Sequence, residues 1–372
     1  MKKVIVIPDS FKGTLSSVRI CEIISERISA HDPQCKVVTI PVADGGEGTT
    51  DCFLHALGGE RIEHTVQGPF GEEMCASYAL LPDGTAVVET ASCAGLPLVG
   101  ERRDPMCTTT YGVGQLIGEA IRRGCKKIIV GLGGSATNDC GCGAAAALGT
   151  VFRKADGTAF IPTGGTLSQI ESIEPTALPK DVQIIAMCDI DNPLFGENGA
   201  AYVFAPQKGA DEPAVWTLDA GLRHTANRIR RDLSVDVSVL SGGGAAGGLG
   251  AGLYAFCGAR LRSGIETVLE TVRFDEQVAD ADLVISGEGR LDSQSLGGKV
   301  VVGIAHHCKK AGVPLIAVVG GAERDLPQVY DTGIKAVFPI GRLPEPLSVS
   351  RNYSEINLRE TVDNIMRLLT VR

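Results

Sequence analysis

"VGLGGSATNDCGCGAAAALG", residues 130–149, stands between an apolar run and an alanine-rich one, and its reading decides the fold. The spacing Gly131-x-Gly133-x-x-Ala136 fits the fingerprint that opens the helix of a dinucleotide-binding unit. Such a unit requires an Asp or Glu about 20 residues further on, at the end of the next strand, for the ribose hydroxyl. Asp156 lies near that distance, but Arg153 and Lys154 come between it and the strand. A second match, Gly242, Gly244 and Gly247 in "GGGAAG", follows the run "VDVSVL", and neither match falls in the N-terminal unit. Both features count against a nicotinamide site. What the two loops do offer is backbone N–H groups at a helix start, the general device for phosphate oxygens. The first loop adds Ser135, Thr137, Asn138 and Asp139 within one turn. Either loop is also readable as a tight turn.

Working outward, strand, loop and helix alternate. "KKVIVIP" is a short β-branched run, and behind Ser16 as N-cap the residues Ile20, Ile23, Ile24 and Ile28 share one helical face. "KVVTIPVADGGEGTTDCFLHAL" repeats the order, which predicts a parallel sheet. Between Arg61 and Thr90 the pattern changes to alternating segments split by Pro-x-Gly and Pro-Asp-Gly turns, read as antiparallel strands of a second domain. The α/β alternation then resumes, through strands "KKIIVGL" and "VQIIAMC" to a last helix bearing Leu358, Val362, Ile365 and Leu369 on one face. The expected class is α/β with two domains. Residues 1–60 and 272–372 form a discontinuous doubly wound domain, Rossmann- or flavodoxin-like, and residues 61–271 an inserted mixed α/β domain.

With 372 residues the chain exceeds what one core usually serves. The formal charge of -9 argues against a nucleic-acid partner, so an anionic ligand must be held by local amides and a few placed Lys or Arg side chains. The apolar start is too short for a signal peptide or a membrane span, which points to a cytoplasmic protein without a membrane partner. Twelve scattered cysteines read as buried free thiols, and Cys140-x-Cys142 as small residues at a helix start. The histidines have no metal spacing.

The recurring chemistry is an apolar strand ending in a loop that carries acids beside glycine or proline. "VIVIPDSFKG" offers Asp9, Ser10 and Lys12; "TIPVADGGEGT" offers Asp44 and Glu47; "IIAMCDIDNP" offers Asp189, Asp191 and Asn192. "DLVISGEGRLDSQSLGGK" offers Glu288, Arg290, Asp292 and Lys299. In open α/β sheets ligands bind at the carboxyl ends of the strands. Carboxylates mixed with Lys, Arg and glycine amides are the parts that phosphoryl transfer requires: acids for Mg²⁺, cations and amides for phosphate, and an acid for the attacking hydroxyl. Walker and protein-kinase motifs are absent. Two other readings stay open at this point. An NAD(P)-dependent oxidoreductase of a small hydroxy acid would bind NADH or NADPH and ignore Mg²⁺; a non-catalytic small-anion sensor would bind without turnover.

"PDSFKGTLSS", "PVADGGEGT", "GLGGSATND", "CDIDNPL", "VFAPQKGA" and "DLVISGEGRLD", in that order, are similar to the signature segments of the bacterial type I glycerate kinases, or glycerate 2-kinases. The resemblance runs from about residue 3 to residue 370. It implies transfer of the ATP γ-phosphoryl group to D-glycerate with Mg²⁺, giving 2-phosphoglycerate and ADP, by two α/β domains with the active site in the cleft between them. Glycerate comes only from the resemblance. Cys140, Cys142, Ser286 and Ser295 depart from its usual residues, and "ETASCAGLPLV" retains Glu89, Ala91, Ser92, Gly95 and Leu96.

On this reading Asp189, directly after a strand and ahead of Pro193, is the first choice for metal ligand or catalytic base, with Glu288 the other metal carboxylate. Lys12, Arg290 and Asp292 complete the catalytic set. Ser10, Asp44, Glu47 and Ser92 are assigned to the acceptor side. Gly133, Gly134, Ser135, Thr137, Asn138, Gly243, Gly244 and Lys299 are assigned to ATP. Lys208 serves either substrate or caps a turn. The expected partners are small molecules, D-glycerate and ATP, with room left for a homo-oligomer.

Overall fold

A computed structural model describes residues 1–370 apart from Gln294, Gly298, Lys299 and Pro344. The architecture is α/β, and the chain divides into two compact units: Met1–Asp44, Asp51–Gly58 and Ile265–Arg372 in one, Gly45–Thr50 and Gly59–Gly264 in the other.

The first unit holds a five-stranded sheet ordered Ile334–Pro339, Leu315–Val319, Leu283–Gly287, Lys3–Pro8, Lys36–Thr39, with every pairing parallel. Numbered along the chain, the order is 2-1-3-4-5, the flavodoxin-like arrangement. Parallel strands are covered on both faces, so they read as unbroken apolar runs, and Val4 to Ile7 are fully buried. Helix Ser17–His31 starts where Ser16 accepts from the Arg19 N–H, and it lays Ile20 and Ile24 into a core shared with Val4, Ile285, Leu358 and Val362. The order reverses between Lys3–Pro8 and Leu283–Gly287, the topological switch point at which open α/β sheets bind ligands.

The second unit holds a six-stranded mixed sheet. Arg260–Arg262, Gln183–Met187, Lys127–Gly131 and Ala86–Glu89 run parallel, and Glu73–Leu80 and Glu60–Gln67 extend the edge antiparallel. The alternating segments after Arg61 therefore lengthen the same sheet that carries the glycine loop. A small antiparallel sheet is made by Ala159–Phe160, Val151–Arg153 and Ser172–Glu174. "VDVSVL" forms no strand, and the second glycine run passes from a turn at Gly242–Gly244 into helix Ala245–Cys257, which is interrupted by left-handed Ala246, Gly247 and Gly248. Among the described residues no helix is long and apolar enough to cross a membrane.

Candidate active site

In the first unit the switch point carries the acids. The Asp9 N–H donates to the Gly287 carbonyl at 2.8 Å, which ties the ends of the two central strands together. The Asp9 carboxylate accepts from the Ser10 N–H at 2.6 Å. Burial, and then the charge of Asp44, push its pKa up from 3.8 to about 6. Lys12 reaches Asp44 at 2.7 Å, but its side chain is 74% exposed, so the pair holds weakly and exchanges partners readily. Glu288 follows Gly287 and is 7% exposed. Gly289 next to it runs close to the Phe11–Lys12 backbone, where an added Cβ would sit 3.2 Å from the Lys12 nitrogen. The short parallel pair Arg290–Leu291 and Gly321–Ala322 extends the ends of two neighbouring strands. It presents Arg290 beside Asp292 at 3.8 Å, while Asp292 and Ser295 hydrogen-bond each other's backbone N–H groups. Lys299 lies outside the described residues.

Asp9 gives a stability test. Its folded pKa stands above the unfolded value, so the folded chain keeps a proton between about pH 3.8 and 6 that the unfolded chain releases. The resulting stabilisation is full below pH 3.8 and is lost as pH rises through 6. Asp9→Asn removes that loss and keeps an oxygen for the Ser10 N–H. Its melting temperature relative to wild type is therefore expected to be higher at pH 7.5 than at pH 5. A constant difference across that range would show that Asp9 does not titrate as described.

In the second unit the loops again follow the carboxyl ends of parallel strands, and the glycines have a packing reason. A Cβ on Gly131 would lie 2.5 Å from the Gly45 oxygen, and one on Gly133 would lie 2.5 Å from the Gly46 Cα. Two backbones meet there, and the Gly133 N–H donates to the Gly45 oxygen at 2.8 Å. The second run is explained likewise. An added Cβ on Gly244 would lie 2.4 Å from the Pro193 oxygen, and one on Gly247 would lie 2.0 Å from the Thr137 oxygen. Gly243 closes a turn onto the Leu240 oxygen. Both fingerprint matches thus arise where loops touch backbone to backbone, and Gly134, with positive φ, is the exposed member.

Asp139 organises the first loop. It is fully buried and accepts from the Thr110 N–H and hydroxyl at 2.8 Å each, and from the N–H groups of Gly141 and Gly143. Burial pushes its pKa up and these donors pull it down. The helix that follows, Cys142–Ala147, has only six residues. Cys140 and Cys142 are completely buried, which raises both thiol pKa values and leaves them protonated and inert.

Lys208 comes up from the turn Pro206–Lys208 to donate to Ser135 Oγ at 3.0 Å and to the Thr137 carbonyl at 2.7 Å. It is 3% exposed, and burial lowers its pKa to about 7 against the opposing pull of Asp139. Thr137 Oγ1 and both side-chain polar atoms of Asn138 are buried without a hydrogen-bond partner. Ser92 donates to the Glu89 carbonyl, and buried Glu89 accepts from the Thr50 N–H, while Glu47 is exposed. Asp189 is exposed at the end of its strand. Its Oδ1 accepts from Ser263 Oγ at 3.0 Å and from the Gly264 N–H at 2.7 Å, capping helix Gly264–Thr271.

The structure thus gathers Asp9, Ser10, Lys12, Asp44, Glu288, Arg290 and Asp292 around the switch point of one sheet. It sets Ser135, Thr137, Asn138 and Asp189 in the loops after strand ends of the other, with Gly244 packed on the Asn192–Pro193 backbone and Gly243 beside it. Asp9 and Lys208 carry no firm role from sequence alone. The signal for Asp9 was present, an acid one residue past an apolar strand; for Lys208 no local pattern marks the burial.

A protein-family model, the glycerate kinase family, matches residues 4–370. A glycerate kinase from Bacillus cereus is 42% identical over 368 residues, covering 98% of this chain and 97% of that protein. A glycerate 2-kinase from Escherichia coli K12 is 44% identical over 343 residues, covering 91% and 90%. The crystal structure of a protein described as glycerate kinase 2 from Salmonella typhimurium LT2 superposes with a TM-score of 0.87 at 40% identity, covering 99% of this chain and 98% of that one.

Proposed function

The chain belongs to the glycerate kinase family, and from that premise we propose that it transfers the γ-phosphoryl group of ATP to the 2-hydroxyl of D-glycerate with Mg²⁺, releasing ADP and 2-phosphoglycerate. The acceptor oxygen forms the new bond to phosphorus, the bond to the β-phosphate bridge breaks, and the hydroxyl proton leaves to a carboxylate. The observation that carries this reading is the set of acids and cations in the loops at the switch point, with Asp9 and Lys12 beside Asp44, Glu288 directly after its strand and Arg290 beside Asp292.

The all-oxygen donor set suits Mg²⁺; the Asp9 pKa is raised first by burial and second by the charge of Asp44, and a cation nearby would offset both. No group of three or more His, Cys, Asp or Glu side chains able to hold a metal occurs among the described residues. Mg²⁺ is usually held by one or two carboxylates together with substrate phosphates. Glu288 and Asp189 are assigned to it, Asp189 serving alternatively as the base for the hydroxyl. When bound, the ion neutralises phosphoryl oxygens. Ser10 and Lys12, with Asp44 and Glu47, are assigned to glycerate, where Lys12 leaves Asp44 for the substrate carboxylate; Ser92 is placed on the same side. Arg290 and Asp292 are assigned to the transferring group. The 131–139 loop, with Gly133, Gly134, Ser135, Thr137 and Asn138, is assigned to ATP phosphate, and Gly243 and Gly244 to its nucleoside side.

The test is ³¹P NMR of the purified protein with ATP, Mg²⁺ and D-glycerate, compared with authentic 2- and 3-phosphoglycerate. A 2-phosphoglycerate resonance growing with ADP is the expected result; unchanged ATP rejects the proposal. In the same assay Lys12→Met is expected to raise the KM for glycerate about 10- to 100-fold, the loss of one charge-assisted contact, and the KM for ATP far less. The reverse pattern would exchange the two substrate assignments.

A further inference from the structure

Lys208 is a buried cation without an anion. Among the described residues no carboxylate forms an ion pair with it. Asp139, the acid that acts on it at longer range, already accepts from four donors of its own. The Arg103 guanidinium approaches the same turn and donates to the Gln207 carbonyl. Two of the three ammonium N–H groups are used by Ser135 Oγ and the Thr137 carbonyl, which leaves one. Buried polar atoms are nearly always paired, yet the Thr137 hydroxyl and the Asn138 amide, on the same loop, are not. A cation lacking an anion, bonded to a loop that also carries a buried hydroxyl and a buried amide without partners, is the complement of an oxyanion. The way in from solvent is short, because Gly134, immediately before Ser135, is exposed and Gly133 is half-buried.

We propose that Lys208, with Ser135, Thr137 and Asn138, forms an oxyanion-binding site beneath the glycine loop that takes a phosphoryl or carboxylate oxygen of a substrate. This rests on the assignment of that loop to substrate, and adds to it the charge that does the holding. An anion seated there stabilises the ammonium, so binding is linked to proton uptake by Lys208. A lysine that merely staples the loop would not be linked in this way.

The experiment is a pH titration of the lysine ¹³Cε resonances in metabolically labelled full-length protein, alone and with ADP, D-glycerate or inorganic phosphate added separately. The Lys208 resonance is identified by its absence from K208R, and by its displacement in S135A should K208R fail to fold. In the free protein it is expected to titrate near pH 7. With the oxyanion that occupies the site, its midpoint rises by at least about one unit, a tenfold linkage. A shift with ADP and phosphate identifies a phosphoryl group; a shift with D-glycerate alone identifies a carboxylate. A midpoint unmoved by any of the three, while calorimetry shows ADP or glycerate bound, overturns the proposal and leaves the kinase reading intact. A shift with phosphate in a protein that makes no phosphoglycerate upholds the site and rejects that reading.

Discussion

Asparagine in place of Asp189 is expected to lower kcat by about two to four orders of magnitude, the range for removing a positioned acid or base, with little change in melting temperature. The separation follows from the geometry. Oδ1 of Asp189 accepts from Ser263 and Gly264 at the helix start, and an asparagine carbonyl oxygen accepts both bonds as well. What disappears is the negative charge, which a metal or a departing proton needs and a capped helix does not. Asp189→Ala is the companion measurement. It loses the cap as well, at about 1 kcal/mol, so its melting temperature falls where that of Asp189→Asn does not. Wild-type turnover in Asp189→Asn would reduce this residue to a helix cap.

Alanine at Gly247 is expected to have the largest effect on stability. Its Cβ would meet the Thr137 oxygen at 2.0 Å, with the Asn138 Cα at 2.6 Å, and its φ of +67° is strained for any L-residue. Overpacking and left-handed strain together cost about 3 to 5 kcal/mol, so the unfolding midpoint falls by about 10 °C. Gly84→Ala is the control in the same unit. It also has positive φ, but nothing lies within 4 Å of its added Cβ, so only the conformational cost of about 1 kcal/mol remains. Equal melting temperatures for the two variants would mean that the contact between the glycine loops is not maintained in solution.

The contrast between those glycines explains how far the sequence can be read. Runs such as "VIVI" announce parallel strands because two-sided burial leaves no polar alternation, and an acid directly after such a run marks a strand end facing ligand. Asp9, Asp189 and Glu288 stand one or two residues past such runs, whereas Asp44 lies five residues beyond Thr39, the end of a partly exposed edge strand. A glycine pattern carries no such information about its cause. Gly131 and Gly133 fit a nucleotide fingerprint, yet their lack of a side chain is required by Gly45 and Gly46, some 85 residues away along the chain. Lys208 was opaque for the same reason: its burial is set by Ser135 and Thr137, contacts of long sequence separation. "VDVSVL" shows the opposite failure, a β-branched run that tertiary context leaves as a turn.

The central pair of the first unit's sheet joins Val4 to Leu283, a separation of 279 residues (283 minus 4). The six strands of the second unit's sheet all lie between residues 60 and 262. At ribosomal speeds the N-terminal strand therefore waits about 15 to 60 seconds for its partner to be synthesised. Throughout that interval "KVIVIP" is an apolar edge with no sheet neighbour but Lys36–Thr39, and by its end every strand of the other sheet has been made. Nascent-chain folding is thereby ordered by topology: the inserted unit can mature first, and the unit that begins the chain is the last to close its sheet.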